Sequence, residues 1–197
     1  MARDQIDMRP IASRDDLVAW FEAGCKPKSD FRIGTEHEKF PFTLNGHRPV
    51  PYEGRRGIRA LLEGMQHLLG WDPIIENGNI IGMFDVTGGG AISLEPGGQF
   101  ELSGAPVDDV HQSCSELMAH LAQIKQIAAP LGIGFLGLGM TPNWSRAEIP
   151  VMPKGRYRIM TAHMPKVGGH GLDMMYRTCT VHTNLDFASD ETKHKRP

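Results

Sequence analysis

Two carboxylates flank a Pro-Gly-Gly break in the stretch Ile92-Ser93-Leu94-Glu95-Pro96-Gly97-Gly98-Gln99-Phe100-Glu101-Leu102-Ser103-Gly104. Proline removes a main-chain donor and glycine permits backbone angles closed to other residues, so a strand, a tight turn or bulge, and a second strand are predicted. Glu95 closes the first strand, and Glu101 lies in the second between two apolar residues. A carboxylate that is partly buried in a hydrophobic core needs a cation, a metal or a proton. The rest of the fold must therefore supply that partner.

The composition is that of a soluble globular protein, since 40% of the 197 residues are apolar and 22% are charged. The formal net charge of -2 gives no argument for binding nucleic acid or an acidic membrane surface. The longest apolar run is too short to span a bilayer, and the first residues lack the apolar core of a signal peptide. Three cysteines without a C-x-x-C spacing favour neither a disulfide framework nor a thiolate zinc site. We expect a cytoplasmic protein that binds neither nucleic acid nor a membrane.

A second pair of carboxylates lies in the segment Phe31–Phe42, which is predicted to be a strand stopped by Pro41. With a period of two, Glu36 and Glu38 face the same way. Their separation of about 6.6 Å gives a repulsion of about 2.5 kcal/mol at an effective dielectric of about 20, but only about 0.6 kcal/mol in water. The pair is therefore ordinary on a solvated face. On a covered face, a divalent cation is the simplest explanation.

Three helices are predicted from capping signals and apolar spacing. The first begins at a capping box that starts with Ser13, and the second spans Ile58–Leu69. The third is predicted from seven apolar positions spaced by three and four, and Pro130 is expected to end it. This spacing places Cys114 in the core and leaves His120 off the apolar seam as a solvated residue. The seven positions are Val107, Val110, Cys114, Leu117, Leu121, Ile124 and Ala128.

The last part of the chain combines a cation-rich loop with a polar strand. Because prolines and glycines recur between Ile149 and Leu172, that segment is predicted to be largely irregular, with room for a helical turn or two over Tyr157–His163. Its lysine, arginine and histidine side chains, next to a carboxylate-rich sheet, suggest a bound polyanion, and a plain solvated loop is the alternative. The strand predicted over Arg177–Asp186 has one polar face that includes His182. That face either meets water or lines a polar site.

Three segments together resemble the plant and proteobacterial type of glutamate-cysteine ligase, namely Gly34–Lys39, Leu94–Gly104 and Met174–Asp186. Met152–Tyr157 and Met164–Gly168 resemble the segments between the second and third of these. The resemblance implies an α+β fold like the catalytic domain of glutamine synthetase and the guanido kinases. In such a fold a curved antiparallel sheet carries helices on its outer face.

The resemblance also implies ATP-dependent formation of an amide bond between glutamate and cysteine, the first step of glutathione synthesis. The γ-carboxylate of glutamate takes the γ-phosphoryl group of ATP, and the amine of cysteine then displaces phosphate from the acyl phosphate. Magnesium, which takes oxygen ligands from carboxylates, would neutralise charge on the phosphates. The expected partners are therefore ATP, magnesium and the two small-molecule substrates.

The resemblance assigns roles to particular side chains. His182 is expected to contact metal or phosphate. Arg158 and Arg177 are expected to bind a substrate carboxylate or phosphate, since a guanidinium fork suits planar oxyanions. The residues expected to coordinate magnesium are Glu36, Glu38, Glu95 and Glu101.

One departure from the family pattern concerns the end of the chain. Family members of this type continue well past the third segment, whereas this sequence ends at Pro197, and residues 188–197 form an atypical tail. We expect a single, shortened catalytic domain over residues 1–197, with open sheet edges and an incomplete ATP pocket. An inactive fragment that binds magnesium or a partner is the alternative. A second enzymatic alternative takes Glu95 and Glu101 as the acid and nucleophile of a glycosidase.

Overall fold

The computed structural model describes residues 9–189, which contain five α-helices and seven β-strands. Two short 3₁₀ helices lie at Lys28–Asp30 and Arg146–Glu148. The atypical tail predicted at 188–197 lies almost wholly outside the described residues. In chain order the elements are α1 (Arg14–Ala23), β1 (Ile33–Thr43), α2 (Ile58–Leu69), β2 (Asp72–Glu76), β3 (Asn79–Phe84), β4 (Ala91–Leu94), β5 (Phe100–Ser103), α3 (Val110–Leu131), β6 (Ile133–Leu136), α4 (Gly155–Val167), α5 (Gly171–Arg177) and β7 (Val181–Leu185).

The seven strands form one antiparallel sheet in the order β2-β3-β4-β5-β1-β6, and β7 also pairs with β1. At 11 residues, β1 is long enough to have three partners. It pairs with β5 along one edge, and with β7 and then β6 along the other. The predicted mixture of helices with an open antiparallel sheet is confirmed. The closer likeness to glutamine synthetase, and the single-domain boundaries, stay predictions.

The larger hydrophobic core joins α2 and α3 to the sheet. Ile58, Leu61, Leu62 and Met65 of α2 are fully buried, in contact with a cluster that includes Phe100 of β5. Each such side chain contributes roughly 1.5–3 kcal/mol by leaving water. The predicted bounds of this helix are confirmed, and Gly70 ends it in the left-handed conformation.

A smaller core cluster includes Phe40 of β1 and Trp144, which stack edge to face, together with Met175 and Tyr176 of α5.

The predicted first helix forms and begins at its capping box, but none of its residues is buried. Nowhere in residues 9–189 is there a helix with both the length and the apolarity to span a bilayer.

The buried side of α3 differs from the prediction by one position. Cys114, expected in the core, is exposed, whereas His120, expected in solvent, is 2% exposed and stacks on Phe100. The positions predicted to be buried and the positions that are buried repeat with the same three-and-four spacing, so periodicity alone cannot choose between them. The helix also continues through Pro130 to Leu131 and ends at Gly132, which is left-handed with φ of 69°. Pro130 therefore lies in the last turn of α3, and the left-handed cap at Gly132 ends the helix two residues later.

The segment predicted to be largely irregular folds into α4 and α5, so the one or two helical turns allowed over Tyr157–His163 are part of a longer helix. Its glycines Gly155 and Gly171 are the first residues of the two helices, and Gly168 is the residue after the end of α4. At helix ends glycine costs less than in the interior, so its frequency was a poor guide here. Because α5 extends to Arg177, the last strand begins only at Val181.

Replacing His120 by phenylalanine is expected to remove part of the protein's sensitivity to acid. Burial, with the nearby Lys39 and His37 as smaller causes, lowers the pKa of His120 from 6.5 to about 3. The unfolded chain therefore binds a proton that the folded protein does not, so the free energy of unfolding decreases as the pH falls below 6.5. For this one group the decrease reaches about 1.4 kcal/mol at about pH 5.5.

Urea unfolding near neutral pH and at about pH 5.5 measures this decrease. The His120→Phe variant should lose less free energy between the two pH values than the unmodified protein. His111→Phe, on the exposed side of the same helix, is the matched control and should lose as much as the unmodified protein. An equal loss in the His120 variant would show that this imidazole is not a source of the acid sensitivity.

Candidate active site

The sheet register places five polar side chains on one face, called here the polar face. Glu38 of β1 lies directly opposite Glu101 of β5, and Glu36 lies opposite Ser103 on one side and His182 on the other. Directly opposed residues in an antiparallel pair share a face, with Cβ atoms about 5 Å apart. The predicted common face of Glu36 and Glu38 is therefore confirmed, and it receives Glu101 as well.

Glu95 reaches the same region from a tight turn. The main-chain N–H of Glu95 donates to Gln99 O, and that of Gly98 donates to Glu95 O. Gly98 has a φ of 89°, a value that side chains rarely allow. The predicted strand, break and second strand are therefore confirmed, with Glu95 as the first residue after β4.

Glu38, Glu95 and Glu101 form a cluster of coupled charges, called here the carboxylate cluster. Burial raises the pKa of Glu38, and the charges of Glu101 and Glu95 raise it further against hydrogen bonds from Thr180. Burial also raises the pKa of Glu95, and Glu101 adds to the effect. Glu101 itself is 4% exposed and accepts a hydrogen bond from the hydroxyl of Ser103. The cluster thus holds negative charge where water reaches it poorly.

Cationic side chains at the start of α4 face this cluster. Arg156 Nη2 lies 3.5 Å from Glu95 Oε1, and Lys154 and Arg156 both lower the pKa of Glu95 against its burial. Lys154 is buried, and its Nζ lies 3.4 Å from both Leu94 O and the hydroxyl of Tyr157. The sequence prediction that cations would lie beside the carboxylates therefore holds for these two residues.

Glu36 lies apart from the carboxylate cluster and pairs with β7. Its Oε2 is 3.0 Å from Nδ1 of His182, and its Oε1 accepts a hydrogen bond from Asn184 at 3.3 Å. The side chain of His182 is 56% exposed. If Nδ1 carries the proton and donates it to Glu36, Nε2 is left as an acceptor or ligand.

A cavity of about 460 Å³ lies between the polar face and α4 and α5. Two larger cavities, of about 830 and 660 Å³, lie beside α1 and before α2, and neither contains a residue of the carboxylate cluster. Sequence reasoning assigned no site role to the methionines or to Gln99. A methionine side chain is apolar, so nothing in the sequence indicated that these methionines would line a site. The lining residues are Glu38, Glu95, Pro96, Gln99, Arg156, Tyr157, Met160, Met174, Met175, Thr178, Thr180 and His182.

The two arginines expected to bind substrate are not among the lining residues. Arg158 is exposed on α4, two residues beyond Arg156. Arg177 is half-buried at the end of α5, where Nη1 lies 3.3 Å from Asp173 Oδ1 and Nε donates to the hydroxyl of Thr141 at 3.4 Å. Their binding roles stay predictions.

The donor chemistry of the carboxylate cluster suits magnesium, which prefers carboxylate oxygens. The pKa values of Glu38 and Glu95 are raised by burial and by neighbouring carboxylates, and a nearby cation would stabilise their charged forms. The side chains as placed are engaged by Thr180, Arg156 and Ser103. Within residues 9–189, no group of three or more His, Cys, Asp or Glu side chains has the geometry to hold a metal ion. Magnesium coordination by Glu36, Glu38, Glu95 and Glu101 therefore stays a prediction.

Comparison with known proteins identifies the family. Residues 32–196 match the model of glutamate-cysteine ligase family 2 (GCS2). The chain belongs to glutamate-cysteine ligase family 2. It is 52% identical over 188 residues to glutamate-cysteine ligase A, chloroplastic, of Oryza sativa subsp. japonica, which covers 95% of this chain and 37% of that protein. It is 54% identical over 178 residues to the chloroplastic enzymes of Medicago truncatula and Arabidopsis thaliana, covering 90% of this chain and 34% and 33% of theirs.

The family comparison confirms the resemblance and corrects another expectation. The chain spans about a third of the length of the curated relatives it matches. The expected cytoplasmic location is wrong as an inference from composition, because these glutamate-cysteine ligases are named as chloroplastic. A reducing compartment explains unpaired cysteines equally well whether it is cytosol or plastid.

Replacing Glu101 by glutamine is expected to lower the pKa of both Glu38 and Glu95. The negative charge of Glu101 raises both values, and the amide removes that charge while keeping an acceptor for Ser103. Carboxyl carbon NMR titration of the variant and of the unmodified protein measures the two pKa values directly. Glu148→Gln, an exposed carboxylate paired with Arg48, is the matched control and should leave both values unchanged. Unchanged values in the Glu101 variant would show that the three charges are not coupled.

Proposed function

We propose that this chain carries the magnesium–ATP wall of a glutamate-cysteine ligase. The observation that supports this most is the carboxylate cluster, which has Lys154 and Arg156 beside Glu95 and borders a cavity, in a member of this family. A site in which carboxylates and cations lie side by side matches a ligand that combines a polyanion with a divalent cation. We further propose the glutamine synthetase-like form of the fold, which the open antiparallel sheet is consistent with.

The proposed reaction has two steps. An oxygen of the glutamate γ-carboxylate attacks the γ-phosphorus of ATP, the bond to the bridging oxygen breaks, and ADP leaves with the electron pair. The cysteine amine then attacks the acyl phosphate carbon, phosphate leaves, and the nitrogen loses a proton to give γ-glutamylcysteine. This is the first step of glutathione synthesis.

The chain's own residues would position the phosphates for this transfer. The carboxylate cluster, together with Glu36, would hold magnesium, which when bound neutralises charge on the phosphates. Arg156, partly exposed beside Glu95, is placed to bind a phosphate oxygen, and His182 offers Nε2 while Glu36 orients its ring. Arg158 and Arg177 are proposed to bind the substrate carboxylates.

The alternative is a protein that binds magnesium and nucleotide without turnover. It is supported by one observation, that neither of the arginines expected to bind substrate, Arg158 and Arg177, lines the cavity. The two proposals agree on the carboxylate cluster and differ only in whether product is formed.

Replacing Glu38 by glutamine is expected to weaken the binding of magnesium with a non-hydrolysable ATP analogue by at least about tenfold. The variant keeps the shape of the side chain and loses the charge that attracts the metal. Titration calorimetry of the 197-residue chain gives the affinity. Glu148→Gln serves again as the control and should bind like the unmodified protein.

Product analysis with glutamate, cysteine, ATP and magnesium separates the two proposals. Formation of γ-glutamylcysteine that is lost in the Glu38 variant supports the ligase. Binding that is weakened in the variant, without product from either protein, supports the non-catalytic alternative. Absence of nucleotide binding by the unmodified chain would refute both.

A further inference from the structure

The side chain of Gln99 joins two segments that both line the cavity. Its Nε2 donates to Thr178 O at 2.8 Å and to Met175 O at 3.3 Å, and its Oε1 accepts from the N–H of Gly97 at 2.8 Å. Gln99 is 2% exposed. A glutamine amide has two N–H donors, and both are already used on main-chain carbonyls. This residue therefore has no donor left for a ligand, although it lies in the cavity wall.

The contact closes the C-terminal end of α5. The last carbonyls of a helix have no partner within the helix and must be satisfied by other groups. Met174 O accepts from the hydroxyl of Thr178, and Arg177 O accepts from the N–H of Thr141. Met175 O, between them, accepts from Gln99. The side chain of Gln99, one residue before β5 begins, thus connects this strand to the C-terminal end of α5.

The turn before Gln99 is pressed against the same helix end. A Cβ added at Gly97 would lie 2.4 Å from Tyr176 O and 2.9 Å from Ile149 Cγ2. Beyond this turn the main-chain N–H of Met152 donates to Pro96 O, which ties the turn to the approach to α4. The carboxylate of Glu95 belongs to this turn, so its position depends on how the turn is docked.

We propose that Gln99 is a positioning residue that fixes the separation between the turn carrying Glu95 and the segment Thr178–Thr180. It acts through main-chain groups on both sides, and so sets the width of the cavity without touching the ligand. The inference rests on the proposed function only for the identity of that ligand. Its structural part concerns two segments of this chain and can be tested without nucleotide.

Cys179 provides the reporter for this separation. It directly follows Thr178, is 7% exposed, and burial raises the pKa of its thiol, so it is protected while the segment is docked. Replacing Gln99 by methionine keeps length and volume and removes all three hydrogen bonds. Alkylation of Cys179 by iodoacetamide, read peptide by peptide so that Cys25 and Cys114 are counted separately, should then be about tenfold faster.

Two comparisons separate positioning from a general loss of stability. Gln126→Met, an exposed site on α3, is the matched control and should alkylate like the unmodified protein. In the Gln99 variant, alkylation well below the urea midpoint should be independent of urea, because local detachment exposes little surface. Alkylation that is unchanged, or that rises with urea in step with global unfolding, would overturn the proposal.

A measurement on the unmodified protein keeps the proposal testable if the variant does not fold. The N–H of Gly97 donates to Gln99 and should exchange with solvent at least about tenfold more slowly than in an unstructured peptide. Exchange at the unstructured rate would show that Gln99 does not hold the turn.

The nucleotide measurement distinguishes this proposal from the proposed function. With magnesium and the ATP analogue, the Gln99→Met variant should bind about tenfold more weakly than the unmodified protein. Faster alkylation with undiminished nucleotide affinity would overturn the positioning role. Faster alkylation and slow Gly97 exchange, in a chain that binds no nucleotide in either form, would refute the proposed function and leave the docking of the two segments standing.

Discussion

Glu36 and His37 of β1 are paired on both sides at once, with β5 and with β7, and the other features of the site depend on this double register. Side chains alternate along a strand, so a slip of one residue would turn Glu36 and Glu38 away from the polar face and bring His37 and Lys39 onto it. Two carboxylates would then be buried beneath α3 without a partner, at a cost of several kcal/mol each. The fold and the candidate site are therefore fixed by the same register.

The same strand carries buried charge on its other face. Lys39 is 5% exposed, its Nζ donates to His37 O, and burial lowers its pKa to about 8. Beside it, His120 is held uncharged, and its Nε2 has no hydrogen-bond partner among residues 9–189. Natural folds tolerate local costs of this kind mainly where function requires them. Here the costs concentrate around β1, the strand that pairs with β5, β6 and β7.

The sequence predicted the local parts of this arrangement better than the long-range parts. Alternation placed Glu36 and Glu38 together, and the Pro-Gly-Gly signal located the turn after Glu95, because both depend only on neighbouring residues. The pairing of Glu38 with Glu101 joins strands that are far apart in the chain, and nothing local encodes it. Ser113 and His120 are buried in place of the predicted Cys114 and Leu121, and this shift depends on what α3 packs against, which periodicity does not contain. The role of Gln99 is visible only once α5 is in place.

The position of Lys154 and Arg156 beside the carboxylate cluster also bears on which ligand the site would favour. Free ATP would bring its phosphates towards Glu38, Glu95 and Glu101, and like charges at low effective dielectric repel strongly. A free metal ion would find the carboxylate cluster already partly compensated by Lys154 and Arg156. Only the complex of metal and phosphates offers a cation to the carboxylates and oxyanions to the cationic side chains, so each component would make the binding of the other more favourable. On the proposed function, this coupling is the physical reason for keeping Glu38, Glu95 and Glu101 close together beside two cations.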